Sequence, residues 1–443
     1  MIALRLWWLL LRRQSEQRLV ILLALIAFAV ATGSLLTVLG GLHGFTVRDS
    51  GRQGGPYVLL AQIATVIVII PVITLGGSAA RLAISRRDDR LAALRLAGAT
   101  TGQVGLIAVV DAAAQALVGA VLGVSLYLIA LPGVAMINFQ GRPFHLSELW
   151  VGPAVLGLTV VGVVLLATVS AALTLARIAI SPLGVARRSA PKTVSAIRVV
   201  VAVIIIAGWV PATKLIGSSA GLTFAMIVFG LCFGVLNLIG PFVLGLIGRL
   251  SVTRANTVPK LLAARRLTDD PRAAWRPVAG VTLATFVAGV LSIAPAIAAS
   301  SPHEVTDPSV AYLPADMMTG SLVTLVIAAL LAAVSVGVNQ SARVYDSSDQ
   351  YRMLHLIGTD VPVLKRARMR ETGLPLIASV AIAAIISLIM VAPFGLMLIT
   401  TAPGGIAMFV GGIVVSLAMV LGAVRLSQPL VDRVLAAGLP AGD

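Results

Sequence analysis

The chain has 443 residues; 58% are hydrophobic, 11% are charged, and the formal net charge is +16. A soluble chain carries roughly 25% charged residues. The composition therefore excludes an ordinary soluble enzyme and a disordered chain, and a single cysteine, Cys232, excludes an intrachain disulfide. What remains is a polytopic helical membrane protein. The positive charge does not indicate nucleic acid, because it lies between apolar runs as membrane topology requires.

A helix needs about 20 apolar residues to cross the hydrocarbon core. In chain order, spans are expected at 19–42, 57–80, 104–131 and 151–174, then a hairpin at 199–216 and 222–247. Four more are expected at 278–299, 318–338, 371–400 and 406–424, the first of these rich in small residues. The apolar run of the first span is too long for a signal-peptide core, so it reads as a retained signal anchor. With the N-terminus inside, 29 of the 33 Lys and Arg fall on the cytoplasmic side. Arg48, Arg52, Arg142 and Lys214 fall outside. This asymmetry supports ten spans with both termini cytoplasmic. Trp7, Trp8, Trp150, Trp209 and Trp275 lie near span ends, as an interfacial belt would place them.

The sequence repeats itself at an offset of 260 residues. RLAALRLAGAT (90–100) aligns with QYRMLHLIGTD (350–360), pairing Leu94 with Leu354, Leu96 with Leu356 and Gly98 with Gly358. The same offset pairs Asp111 with Glu371, Arg5 with Arg265, Arg12 with Arg272, and Gly119 and Gly123 with Ser379 and Ala383. Each half then holds four spans. An even number returns the chain to the cytoplasm, so the repeats are parallel and related by an axis along the membrane normal. The expected fold is all-α: two four-helix units, 1–190 and 256–443, with a two-span hairpin at 191–255 between them.

The segment 85–104, SRRDDRLAALRLAGATTGQV, places charges first, then Leu91, Leu94 and Leu96, then Gly98 as a C-cap. It reads as a short amphipathic helix between the second and third spans. Such a helix can lie on lipid, or it can receive a push from a cytoplasmic partner; two copies at matching positions favour docking. The docking candidates are Asp88, Asp89, Arg90, Leu91, Leu94, Arg95 and Gly98, with Asp349, Tyr351, Leu354, His355 and Gly358 in the second copy.

This segment resembles the signature of FtsX-like (MacB-like) ABC transporter permeases, in which R-x-x-E-x-x-x-L-R-x-x-G-A-T precedes the third span and an acid follows near its start. Asp88 to Thr100 followed by Asp111 is similar to it; the second copy lacks the counterparts of Arg95 and Ala99. Arg177, Ser181-Pro182 and Ala186-Arg187 resemble the family's tail, and 261–277, LLAARRLTDDPRAAWRP, resembles its amphipathic elbow. The 4+2+4 arrangement is similar to bacitracin-efflux-type permeases. One departure is clear: the outer loops 43–56 and 300–317 cannot hold the large extracytoplasmic domain many members carry.

The resemblance implies a permease subunit in a bacterial inner membrane that exports, or extracts from the outer leaflet, an amphipathic or hydrophobic compound such as an antimicrobial, peptide or lipid. It also implies two copies of a separate cytoplasmic ATPase carrying ATP and Mg. The chain itself has no P-loop: none of Lys192, Lys214, Lys260 and Lys365 lies in G-x-x-x-x-G-K-[ST]. No cofactor, metal site or nucleophile–base constellation is expected. The alternatives are an ion-driven secondary transporter and an ATPase-driven signal relay. The short outer loops weigh against the relay, and the lack of midplane charges against the secondary transporter.

Asp111 and Glu371 are intramembrane acids near the cytoplasmic side; they read as paired with a base, the alternative being a proton relay. His43, His145 and His303 outside and His355 inside read as solvated loop residues, and Cys232 as a small buried hydrophobe. Pro71 is expected to bend the second span and has no counterpart at Leu331. Gly119-x-x-x-Gly123 and Gly230-x-x-x-Gly234 would permit close helix approach.

Overall fold

The computed structural model describes residues 15–48, 55–85, 100–179, 196–214, 219–254, 256–276, 278–292, 312–346, 361–394 and 403–426. Among them the chain is almost wholly helical, as an all-α polytopic membrane protein must be. In lipid every backbone N–H and C=O needs a partner within its own segment, and the helix supplies it. Among the described residues seven helices are long and apolar enough to cross a membrane: Ile21–Arg48, Pro56–Leu82, Gly102–Ala135, Leu146–Leu175, Gly230–Thr253, Leu313–Asn339 and Gly373–Val391. Three shorter apolar helices, Val200–Pro211, Ala279–Leu291 and Gly404–Val415, stand at the expected fifth, seventh and tenth spans.

The full elements in chain order begin with α1 (Ser15–Arg48), α2 (Pro56–Ser85) and α3 (Thr101–Ala135). A two-stranded antiparallel hairpin follows, β1 (Asn138–Phe139) and β2 (Arg142–Pro143), with Phe139 opposite Arg142. Next come α4 (Leu146–Leu149), α5 (Gly152–Ala179), α6 (Ala196–Lys214) and α7 (Ser219–Thr253). The chain goes on through α8 (Val258–Asp269), α9 (Pro271–Trp275), α10 (Ala279–Leu291), α11 (Leu313–Asp346), α12 (Val361–Val391) and α13 (Pro403–Leu426). Pro56–Ser85 and Leu313–Asp346 stand at the 260-residue offset within three residues at each end, and Thr101 and Val361 begin their helices at that offset.

The chain forms two compact units. Unit 1 comprises residues up to Arg48, Val72–Met136 and His145–Arg188; unit 2 comprises Asp49–Pro71, Ile137–Phe144 and Ser189 onward. The division of α2 falls at Pro71, its one internal proline. A proline inside a helix removes one backbone hydrogen bond and loosens the helix there.

In unit 1 the seam between α1 and α3 is built on glycine. A Cβ on Gly123 would stand 2.6 Å from Thr32 Cβ and 2.7 Å from Ala29 O; one on Gly119 would stand 3.1 Å from Leu25 O. The two backbones approach as closely as only glycine allows, so the expected Gly119/Gly123 contact is present. The other expected pair forms no such seam. Nothing lies within 4 Å of a Cβ on Gly234, and a Cβ on Gly230 would meet only Val66 at an ordinary 3.8 Å. The spacing is identical; only the neighbours differ.

In unit 2 the centre is α10, buried continuously from Gly280 to Gly289 and packed by α11, α12 and α13. A helix apolar on every side belongs in a core. Its small residues set the spacing: Gly280 lies close to Ser335, Gly289 against Ser387, and Ala288 against Gly412. Around it, Ile67 of α2 joins Val228, Cys232 and Leu236 of α7, Phe286 and Val287 of α10, Ala328 of α11 and Ile386 of α12. Cys232 is thus the small buried hydrophobe expected.

The elbow expected at 261–277 is two helices rather than one. Asp270 accepts a hydrogen bond from Ala273 N (3.0 Å) and Pro271 follows, so α8 ends and α9 starts afresh. Trp275 then packs on Gly240 of α7 and donates from Nε1 to Asn237 Oδ1 (3.1 Å). Trp209 is likewise inside the protein, 6% exposed, donating to Met390 O (2.7 Å). These two tryptophans are therefore anchors between helices and not members of a lipid-facing belt. Each indole N–H needs an acceptor, and a neighbouring helix supplies it. Trp150, 40% exposed, keeps the expected exposure, while Trp7 and Trp8 lie outside the described residues.

Candidate functional site

All the docking candidates, Asp88 to Gly98 and Asp349 to Gly358, lie outside the described residues. What the structure does give is their frame. Residues 86–100 join α2 to α3 and residues 347–360 join α11 to α12, connections that differ by one residue between the two repeats. The start of α3 is fixed by a capping box. Gln103 N donates to Thr100 Oγ1 (3.3 Å) and Thr100 N donates to Gln103 Oε1 (3.0 Å), satisfying two otherwise orphaned donors. Thr100, the end of the Gly98-Ala99-Thr100 motif, therefore marks where the third span begins. In the second repeat Asp360, another residue type suited to an N-cap, immediately precedes α12 in sequence.

Asp111 and Glu371 stand equally far past the first residues of α3 and α12. Asp111 is partly buried, and one turn on, Gln115 is buried with Oε1 lacking a hydrogen-bond partner among the described residues.

The helix ends remote from segments 86–99 and 347–360, termed distal here, carry two polar clusters that the sequence pattern did not single out. In unit 1, Arg48 closes α1 and donates from Nε (3.2 Å) and Nη2 (2.9 Å) to Glu148 Oε2. The same oxygen accepts from His145 N (2.9 Å), and His43 Nδ1 meets Glu148 O at 2.9 Å. Tyr127 donates to Leu149 O (2.6 Å), and a Cβ on Gly40 would stand 2.8 Å from that carbonyl. Glu148 is thereby the anchor of the α3–α5 connection. The expectation that His43 is a solvated loop residue is corrected: it lies within α1, held on a carbonyl of α4. Helix α1 runs beyond its expected end and carries the ring to that carbonyl.

In unit 2 three segments meet at Asp316, in the first turn of α11 and 8% exposed. Its Oδ2 accepts from Tyr57 Oη (2.7 Å), near the start of α2, and from Gln140 N (2.7 Å), in the turn of the β-hairpin. Gln140 (φ 57°) and Gly141 (φ 74°) are both left-handed, as a two-residue type I′ hairpin turn requires. Gly141 sits on the Tyr312 ring; a Cβ there would stand 2.9 Å from Tyr312 Cε2. Phe139, tilted against Phe144 at a centroid distance of 5.7 Å, faces Gly320 one turn beyond Asp316. The sequence signal for this cluster was weak: one acid at the edge of a span, and a Gln-Gly pair between short flanks. Among the described residues no group of His, Cys, Asp and Glu could hold a metal ion.

Residues 57–182 match the family model for the C-terminal part of FtsX-like permeases. The match runs from the start of α2 past the end of α5 and encloses segment 86–99, Thr100 and Asp111. It supports an FtsX-like permease family, a component of membrane transport, and such a domain implies the permease subunit of an ABC transporter. Comparison with curated proteins gave no match.

Proposed function

We propose that this chain is the MacB-like permease subunit of an ABC transporter that exports, or extracts from the outer leaflet, an amphipathic or hydrophobic compound. The observation that carries the reading is the family match over 57–182, which encloses the Arg90–Gly98 segment. Two further features support it: a joining segment at matching positions in the two repeats, and third-span helices that start 260 residues apart. In this reading the ten spans form two parallel four-span units, 1–190 and 256–443, with a hairpin at 191–255. Both termini lie in the cytoplasm of a bacterial cell, and the distal helix ends face outward.

Two copies of a cytoplasmic ATPase dock at 86–99 and 347–360, and ATP and Mg reside on that partner. Closure of the ATPases moves one four-span unit against the other. Asp88, Asp89, Arg90, Leu91, Leu94, Arg95 and Gly98 form the first contact; Asp349, Tyr351, Leu354, His355 and Gly358 form the second. Placing an unpaired charge in a buried contact costs several kcal/mol. The double variant Leu94→Asp, Leu354→Asp is therefore expected to lose co-purification with its ABC ATPase partner, while unliganded thermal stability stays unchanged. The wild-type complex is expected to have the mass of one permease chain and two ATPases. Retained association in the double variant, or two permease chains per complex, would count against the docking assignment.

A further inference from the structure

We infer that the β-hairpin Asn138–Pro143, Tyr57 and Asp316 form a releasable strap across the distal ends of the two second-span helices, opened and closed during the transport cycle. The strap follows from geometry alone; its part in the cycle rests on the permease reading above.

Three observations carry the inference. First, the strap joins distant parts of the chain. Tyr57 lies near the start of α2, the hairpin follows α3, and Asp316 opens α11. At the 260-residue offset Tyr57 corresponds to Met317, the neighbour of Asp316, so the Tyr57–Asp316 bond ties near-equivalent points of the two repeats. These helix ends must separate if anything passes between them.

Second, the hairpin is shaped for its seat. Its left-handed turn directs Gln140 N at Asp316 Oδ2, Gly141 leaves room for Tyr312, and Phe139 covers Gly320. A segment this short has little stability of its own. Its conformation depends on what it rests on, which suits a part that comes away whole.

Third, the fastening is reversible in kind. Both groups on Asp316 Oδ2 are neutral donors, a phenol and a backbone amide. Water can take the place of neutral donors on a carboxylate once the site opens, whereas separating a buried ion pair strands a charge.

The test uses the full-length protein in proteoliposomes, with Cys232→Ala and spin labels at Asn138→Cys and Met318→Cys. Both label sites are exposed, and neither is a strap contact. The expected result is one short inter-label distance. In Tyr57→Phe, which removes one hydroxyl, and in Asp316→Ala, a longer distance should appear, its population raised about tenfold, as loss of one hydrogen bond to a charged acceptor implies. Unchanged distances in both variants would overturn the strap. If Asp316→Ala does not fold, Tyr57→Phe decides.

The second arm adds the ABC ATPase that co-purifies with the chain, together with ATP and vanadate. A longer distance appearing in the trapped complex supports the opening; the same short distance in a complex that forms and hydrolyses ATP overturns it. If no ATPase associates, the permease reading fails, and the strap's role in a cycle fails with it. The Tyr57→Phe result then decides the strap by itself.

Discussion

Two acids organise the distal ends of the helices, and they do so in opposite ways. Glu148, in unit 1, is bound by an Arg48 side chain that is 2% exposed, and by a backbone amide from its own turn. Both of these donors belong to the first repeat. Asp316, in unit 2, is bound only by neutral donors among the described residues, and those donors come from the first repeat while the acid comes from the second. The first arrangement fixes a loop within unit 1. The second ties points of the two sequence repeats within unit 2. Charge pairing goes where the chain must not move, and neutral hydrogen bonds go where it must.

The largest effect is expected from breaking the fixed anchor. Arg48→Ala leaves Glu148 mostly buried without its cation and should cost about 3 kcal/mol. Thermal unfolding of the detergent-solubilised chain measures it. A loss no larger than that of Tyr57→Phe would erase the contrast between the two acids.

Next comes the seam beneath that anchor. Gly123→Ala must push α1 and α3 apart, since the new methyl would meet Ala29 O and Thr32 Cβ. Overpacking of this kind costs about 1–3 kcal/mol. The same unfolding measurement applies, and a neutral result would show that the seam can yield.

A smaller loss is expected at the releasable anchor. Tyr57→Phe removes one hydrogen bond to a carboxylate, worth about 1.5 kcal/mol. It should appear as faster amide hydrogen exchange at Gln140, with the global unfolding temperature little changed. Global destabilisation instead would make Asp316 a fixed anchor too.

The smallest effect sharpens the glycine comparison. Gly234→Ala meets open space and should be neutral or stabilising by about 0.5–1 kcal/mol through helix propensity. A penalty near that of Gly123→Ala would show that the motif alone confers close packing.

Much of the architecture was legible in the sequence. The second and third spans were placed within a few residues and the eighth overlaps α11, because helix length in a membrane follows from a local run of apolar residues; α12 instead begins ten residues before, and ends nine before, the bounds expected for the ninth span. The 260-residue offset, read from a few side chains, reappears in the ends of whole helices. The candidate site was legible only as a motif. Arg90, Leu94 and Gly98 carry a recognisable pattern, yet Thr100 was the only motif residue whose local role as an N-cap could be read from the structure. Tyr57, Gln140 and Asp316 were passed over because each is unremarkable among its own neighbours.

The amino-acid order by itself determined where the chain can cross a membrane, that its two halves repeat, and that both repeats carry a joining segment at matching positions. These are properties of consecutive residues, since hydropathy, helix caps and spacing act over a few turns. Only the tertiary structure decided which glycine pair becomes a seam, which tryptophans are anchors, and which acid holds a loop fast or ties two repeats together. Each of those depends on a partner about 40–260 residues away, brought near by packing. A short-range pattern carries no information about which partner arrives.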